Sequence, residues 1–248
     1  MCKENKDRKT KSIDWFDLNF DDKKRKISTS SPDFRAELKE GLSWLWHHSF
    51  LRSLALILGS LNGINALGFS VFILFAQEDL HTSVLTFGIL STGAAVGGTV
   101  GGLTSGRVIK RYGRGRILKT AMLGAPMLLL ATGLSSHWQF VWALMLCEMY
   151  LAIVWNVVTV SMRQEIIPDQ ILGRVNSVYR FFGLGSQPIG AIMGGMIVTI
   201  SVHLVSRSLA LRLPMFVAAA LAAILALLAL PHLTQAKIDE ARGKKDNE

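Results

Sequence analysis

Acidic side chains are scarce where this sequence needs them least. The chain has 248 residues, and between Leu80 and Gln164 its only acid is Glu148. Soluble helices carry charge along a wet face, so a stretch this poor in charge excludes an ordinary soluble domain and points to apolar surroundings. Cysteine is nearly absent too: Cys2 lies in a polar stretch and Cys147 in a long apolar run, so neither a disulfide framework nor a thiolate metal spacing follows. Histidine is scattered. His47 and His48 are adjacent, while His81, His137, His203 and His232 fall near the ends of apolar runs. No Ser-His-Asp ordering, phosphate-binding loop or metal spacing emerges, so the sequence predicts no enzyme, no metal and no cofactor. A secretory leader is likewise excluded, because the first apolar run starts near Leu51 and is too long for a signal's apolar core.

What the chain has in abundance is hydrophobic length. Crossing about 30 Å of hydrocarbon takes about twenty apolar residues in a helix. Six stretches meet that length: Leu51 to Ala76, Leu85 to Val108, Ile117 to Leu134, Trp138 to Met162, Val178 to Val202 and Leu211 to Leu230. They are continuously apolar, which predicts helices and excludes the alternating strands of a barrel. The expectation is an all-α membrane protein with a transmembrane domain over 51–230.

The sequence pI of about 9.8 invites a nucleic-acid reading, but the excess positive charge flanks the apolar runs, where membrane topology accounts for it. Arg107, Lys110, Arg111, Arg114, Arg116 and Lys119 crowd one loop without an acid, and Arg163, Arg174 and Arg180 flank another. The opposite side has only Arg207 and Arg212, with Glu78, Asp79 and His81 in its first loop. Lys and Arg are retained in the cytoplasm, so both termini and the basic loops are expected there, in the cell membrane.

The first forty residues hold nine acids and eleven Lys or Arg, and residues 1–31 read as a flexible cytoplasmic linker. Lys23 to Lys26 could alternatively form a lipid-binding arm. Ser31-Pro32-Asp33 reads as a helix start, and Phe34, Leu38, Leu42 and Leu45 share a face, with Trp44 and Trp46 at headgroup depth. That predicts an interfacial helix over 32–50, and residues 231–248 read as a cytoplasmic tail.

Glycine marks the second and fifth spans. Gly93, Gly97 and Gly101 form one row, and Gly98, Gly102 and Gly106 the next. Small residues allow close backbone packing in lipid, so these rows serve either static packing or helix sliding. The fifth span adds Gly183, Gly185, Gly190, Gly194 and Gly195, with Pro188 as a kink.

Two loops carry a resemblance. Gly106-Arg107-Val108-Ile109-Lys110-Arg111-Tyr112-Gly113-Arg114-Gly115-Arg116 resembles the cytoplasmic signature of the major facilitator superfamily. Gly106, Arg111, Gly113 and Arg114 match it; Lys110 stands where the signature has an Asp that pairs with Arg to latch one conformation, and Gly115 replaces a basic residue. The stretch from Val154 through Arg163, Pro168, Gly173, Arg174 and Arg180 to Gly195 resembles the loop between the tenth and eleventh helices of the drug-exporter branch. That branch includes macrolide-efflux and enterobactin-export permeases, and Gly41 to Leu54 resembles the approach to its seventh helix. The resemblance implies the C-terminal six-helix half of such a transporter. Arg163, Arg174 and Arg180 then serve either topology and phosphate contact or inter-helix ion pairs with Glu165 or Asp169.

Glu148 is the sharpest single residue. Near the bilayer centre a carboxylate costs several kcal/mol, so it must be protonated, paired or facing a wet cavity. At 100° per residue Glu148, Ala152, Trp155 and Thr159 form a stripe, with Asn156 beside it. The resemblance makes this the tenth helix, lining a central cavity with the seventh, which here offers Asn62 and Asn65. Two roles stay open: a proton carrier beside a substrate site, or a protonated Glu bonded between helices. The expected activity is proton-coupled efflux of a small amphipathic molecule. The partners are lipid, substrate, protons and a second six-helix half, either another copy or a separate chain. A truncated or accessory membrane protein without transport of its own is the alternative. The membrane subunit of an ATP-driven importer fits poorly, because no coupling helix of that type is apparent.

Overall fold

The computed structural model describes residues 34–233, with side chains from Lys39 onward. Ser31-Pro32-Asp33, the basic run at 23–26, the side chains of Phe34 and Leu38, and the tail after residue 233 lie outside the described residues. Every regular element described is helical: α1 Phe34–His47, α2 Ser49–Gly68, α3 Phe72–Glu78, α4 Val84–Tyr112, α5 Arg114–Leu134, α6 Trp138–Ile166, α7 Asp169–Ser201 and α8 Arg207–Ala229. A 3₁₀ turn, Leu230–His232, closes the series. With α2 and α3 taken together, six helices are long and apolar enough to cross a membrane. The outward residues agree: Leu103 is 76% exposed and Leu227 70%, an arrangement that hydrocarbon tolerates and water does not.

Local chemistry sets the boundaries. Ser83 caps α4 by accepting from the Thr86 amide, and Ser206 caps α8 by accepting from Leu209. A single residue, Gly113 at φ +76°, turns α4 into α5, a conformation that favours glycine. These ends lie beyond the hydropathy limits: α4 runs to Tyr112, α6 to Ile166, and α7 starts at Asp169. Helical hydrogen bonds continue past the apolar core into the polar margin, where hydropathy no longer reports them. Pro126, Pro188 and Pro214 each sit within a continuous helix.

The first span departs from expectation. It breaks at Phe69-Ser70-Val71, and the break keeps its backbone bonded. Phe69 N–H donates to Asn65, Phe72 N–H to Phe69 and Phe75 N–H to Val71. Ser70 Oγ donates to Leu67 O at 2.9 Å. Non-helical backbone survives at membrane depth only when protein satisfies it in this way.

Three pairs dominate the packing: α2 with α7, α4 with α6, and α5 with α8. Exchanging the first three spans for the last three reproduces that list. Each triple has an odd number of spans, so the two triples cross the membrane in opposite senses and relate as inverted repeats. The α4–α6 seam is built from one glycine row. A Cβ on Gly93 would stand 2.5 Å from the Trp142 carbonyl oxygen and one on Gly101 3.1 Å from that of Tyr150, while one on Gly97 would overlap the Leu146 carbonyl. The α2–α7 seam repeats the device with Gly59 and Gly63 against Phe182 and Ser186, and Gly190 and Gly194 against Gly63 and Leu67. Gly102, Gly106, Gly185 and Gly195 have nothing within 4 Å of such a Cβ.

Helix α1 lies against α7. Gly41 rests on the Arg174 backbone, Leu45 is fully buried, and Glu40 pairs with Arg174 at 2.7 Å. Gly41 and Leu45 form the side of α1 that packs on α7, and Leu42 is exposed beside them. Trp44 stacks on His48 at 3.8 Å between centroids.

Candidate functional site

Helices α2, α5 and α6 line an open cavity of about 320 Å³. Its polar lining is Asn62 and Asn65 from α2 with Glu148, Trp155 and Asn156 from α6. Helix α5 contributes Ala121, Ala125 and Leu128, small and apolar, and the remaining wall is Leu58, Leu61, Leu151, Ala152 and Ile153. Under the repeat exchange α2 and α6 are equivalents, so the polar groups come from related helices of the two triples.

The polar groups differ in how well they are satisfied. Asn62 Nδ2 donates to Leu58 O at 3.0 Å, one turn back on its own helix. Among the described residues nothing bonds the side-chain amides of Asn65 or Asn156 or the carboxyl of Glu148. Trp155 is 6% exposed, and its indole N–H is buried with no hydrogen-bond partner among the described residues. An unmet buried donor is uncommon and calls for an explanation. Thr159, the last member of the expected stripe, does not line the cavity: it is buried and its hydroxyl donates to Trp155 O at 3.0 Å. The helical spacing that puts Thr159 in the stripe also carries it a turn deeper, into the core around Tyr179.

At the Arg-rich end the loop residues part company. Arg114 grips Glu165 with two bonds of 2.6 Å, joining the start of α5 to the end of α6. Arg111 lies over the Tyr112 ring at 5.6 Å. Gly106 and Gly173 are exposed with open space around them. Arg163 is buried, its guanidinium 4.3 Å above the Tyr179 ring, with Nε facing Thr159 O at 3.4 Å. Tyr179 in turn donates to the Leu51 carbonyl, so one chain of contacts links α6, α7 and α2. Arg180 and Asp169 are exposed and without ion pairs among the described residues. Among the described residues Arg114 pairs with Glu165 and Arg174 with Glu40, while neither Arg163 nor Arg180 pairs with Glu165 or Asp169.

Sequence reasoning missed the opposite end. Asp79, its side chain 6% exposed, takes Arg212 Nε at 2.6 Å and the Ser208 hydroxyl at 2.8 Å. Arg212 also donates to the Gly133 and Ser135 carbonyls. Glu78 holds Arg207 through two bonds of 2.9 Å. These partners stand 129 to 133 residues apart, so no local pattern announces them. Gly59 and Gly63 are different: their four-residue spacing repeats the signal already present in the second span.

Comparison with known families decides the class. Residues 55–247 match the family model described as Major Facilitator Superfamily. The chain belongs to the Major Facilitator Superfamily. No curated protein and no solved structure matches it. Membership makes this a membrane transporter fold, a six-helix half of the major-facilitator architecture. The cavity between α2 and α6 then lies on the first and fourth spans of that half.

Proposed function

We propose that this chain is one half of a proton-coupled efflux permease for a small amphipathic compound, with Glu148 as the proton carrier. The observation that carries the reading is the convergence of Glu148, Asn62, Asn65, Trp155 and Asn156 on one cavity. A carboxyl that crosses the membrane's low dielectric without a partner is suited to bind and release a proton as the cavity opens to either side. Trp155 and the amides supply contacts for a polar group on an otherwise apolar molecule.

The other wall of the site belongs to a second six-helix half, either another copy or a separate chain. Transporter halves of this superfamily are related by an axis along the membrane normal, so two copies pair without inversion. The basic loops and both termini lie in the cytoplasm of a cell-membrane protein. Residues 1–31 serve as linker, and α1 lies in the interface, where Trp46, exposed and under the Arg52 guanidinium at 5.9 Å, meets the headgroups. Arg114–Glu165 latches one state of the cycle, with the acid supplied by α6 in place of the signature's missing Asp. Gly106, Arg111, Gly113, Gly173, Arg174 and Arg180 belong to the two cytoplasmic loops that flex in that cycle.

The test is reconstitution in proteoliposomes under an imposed pH gradient, with the chain alone and with a six-helix partner. Substrate-dependent proton flux is expected with the partner or at a protein density that permits self-pairing. Glu148→Gln should lower coupled flux more than tenfold without changing insertion. Full coupled flux in that variant would eliminate Glu148 as carrier, and absence of flux under every pairing would leave an accessory membrane protein.

A further inference from the structure

The polar cavity takes one face of α2, and a second concavity lies on the other. It is a groove of about 660 Å³ between α2, α7 and α8, open along one side. On α2 it is lined by Leu56, Gly59, Ser60, Gly63, Ile64 and Leu67, whereas the cavity takes Leu58, Leu61, Asn62 and Asn65. At 100° per residue the two sets centre about 180° apart. A second six-helix half that covers the cavity leaves this groove to lipid.

The groove has the length of one leaflet. From Leu56 to Leu67 the rise along α2 is about 16 Å, against about 30 Å for the whole hydrocarbon layer. Its inner end meets a packed cluster, Leu67, Ala218 and Ala222 with Phe69, Ile197 and Val217 against them. A partner's transmembrane helix needs a channel across the full layer, but an acyl chain needs only one leaflet. Gly59, Gly63 and Gly185 leave the floor bare, and Phe181, Ile189 and Leu228 stand exposed along it.

The outer end is polar on every wall. One turn beyond the lining stand Arg52 before Leu56, Ser177 before Phe181 and His232 after Leu228. This is the end of the bundle that carries the basic loops. Arg52 donates one N–H to the Trp46 carbonyl at 3.1 Å, and its guanidinium lies 5.9 Å from the Trp46 ring. Its other N–H groups have no partner among the described residues. Trp46 is exposed, and a Trp beside an Arg belongs at headgroup depth. No acid lines the groove, and Glu40 of α1 is held by Arg174. A phosphate at this mouth meets a guanidinium, whereas the ammonium of a zwitterionic headgroup finds no acid.

We infer that the groove between α2, α7 and α8 seats one phospholipid with a net negative headgroup, its phosphate on Arg52 and one acyl chain along the glycine floor to Leu67. That the groove faces lipid rests on the reading of the cavity as covered by a second half; its length and the charge at its mouth do not.

The experiment uses the full chain in nanodiscs of phosphatidylcholine doped with a phosphatidylglycerol that carries a diazirine midway along one acyl chain. Photolysis and peptide mass spectrometry read where that chain lies. Adducts should concentrate on residues 181–193 and 221–228 over the α4 surface around Leu103, which is also exposed. When the bulk lipid is phosphatidylglycerol instead, it competes for the site, and labelling of the groove should fall about fivefold, the weight of one Arg near an anionic surface. Arg52→Gln should remove that difference between the two bulk lipids. Gly185→Leu places a side chain on the floor, where a Cβ meets nothing within 4 Å, and should reduce groove labelling to the level at Leu103. Ser60→Leu fills the same floor from α2 and should give the same loss. The change at Gly195, on α7 outside the groove and with equal room, should leave labelling as it was.

Even labelling of the two surfaces, equal labelling in the two bulk lipids, or a filled groove that labels like the parent each overturns the inference. Labelling that appears only with one chain per disc, and vanishes with two, would make a second copy the occupant and overturn it as well. None of these outcomes depends on proton flux, so this inference and the transport reading fail separately.

Discussion

Two kinds of seam run through this molecule. Between α4 and α6, and again between α2 and α7, the backbones touch through glycine notches: Gly93 and Gly101 sit under the carbonyls of Trp142 and Tyr150, and Gly97 under that of Leu146. Between α2 and α6 the same helices stand apart and leave a polar cavity floored by α5. The first seam is dry and held by close van der Waals contact, which is what joins helices where lipid offers no hydrophobic drive. The second holds groups that packing does not satisfy. The difference teaches where motion belongs. The row as a whole fixes register, since one turn of sliding would carry an end carbonyl off the glycines and onto Ile89 or Ser105. Within the half, the packed glycine rows lock the pairs, and change is confined to the cavity side.

Filling a notch is the strongest way to break that contrast. Gly97→Leu puts a branched side chain where even a Cβ overlaps the Leu146 carbonyl. Overpacking costs about 1–3 kcal/mol in adaptable cores, and a backbone obstacle that no rotamer change relieves should raise this to about 4 kcal/mol. Reversible unfolding in mixed micelles reads the loss. A stability within 1 kcal/mol of the parent, by the same scale, would show that the seam is looser than its geometry.

Next in size is the clamp at the α3–α8 end. Asp79→Ala removes a nearly buried carboxylate and leaves the Arg212 guanidinium, 16% exposed, with two carbonyls and no counter-charge. Breaking a fully buried pair costs about 3–5 kcal/mol, and the partial exposure of Arg212 lowers the expectation to about 2–3 kcal/mol. Double substitution to Asp79→Ala with Arg212→Met should recover much of it, because the stranded charge is gone. A double variant no better than the single one would mean that Asp79 matters for its Ser208 bond rather than for its charge.

These two sites also show what the residues disclosed in advance. The six spans, the glycine rows of α4 and all five polar residues that line the cavity, Asn62, Asn65, Glu148, Trp155 and Asn156, were legible, because helical periodicity and burial cost are local. Thr159 was misplaced because periodicity gives a face but not depth, and at Thr159 that face has passed from the cavity into the core. The break at Ser70 was invisible, since Phe69 and Val71 are as apolar as their neighbours and the satisfying bonds come from the fold. The clamp was invisible for a plainer reason. Asp79 and Arg212 meet only because α3 and α8 share one end of the bundle, and the sign of a loop charge does not name its partner.

A smaller effect is expected at the opposite end. Arg114→Ala deletes the two bonds to Glu165, but both side chains are partly wet, at 19% and 36% exposure. Exposed pairs contribute about 0–1 kcal/mol, so stability should fall by no more than about 1 kcal/mol. If the pair latches one state, its loss should appear in transport instead, as a changed rate with unchanged micellar stability. Loss of 3 kcal/mol, the scale of a buried pair, would make it a structural clamp like Asp79–Arg212 and remove the contrast between the two ends.

The smallest effect belongs to the glycines that have no seam. Gly102 and Gly106 lie on the same helix as Gly97, one row over, with open space where a side chain would stand. Alanine there costs nothing in packing and gains up to about 1 kcal/mol in helix propensity. In the isolated chain Gly102→Ala and Gly106→Ala should therefore unfold at or slightly above the parent's midpoint, although the Cβ they add is one that at Gly97 would overlap the Leu146 carbonyl. Leucine at Gly102 separates the reasons for that tolerance. If the row faces only lipid, Gly102→Leu is silent both alone and with a partner half. If the row is the notch for a second six-helix unit, the variant stays stable alone and loses association, read by co-purification of the two halves. Destabilisation of the isolated chain by either alanine would mean that a neighbour within this half reaches the row, and that the division into locked and open seams is drawn in the wrong place.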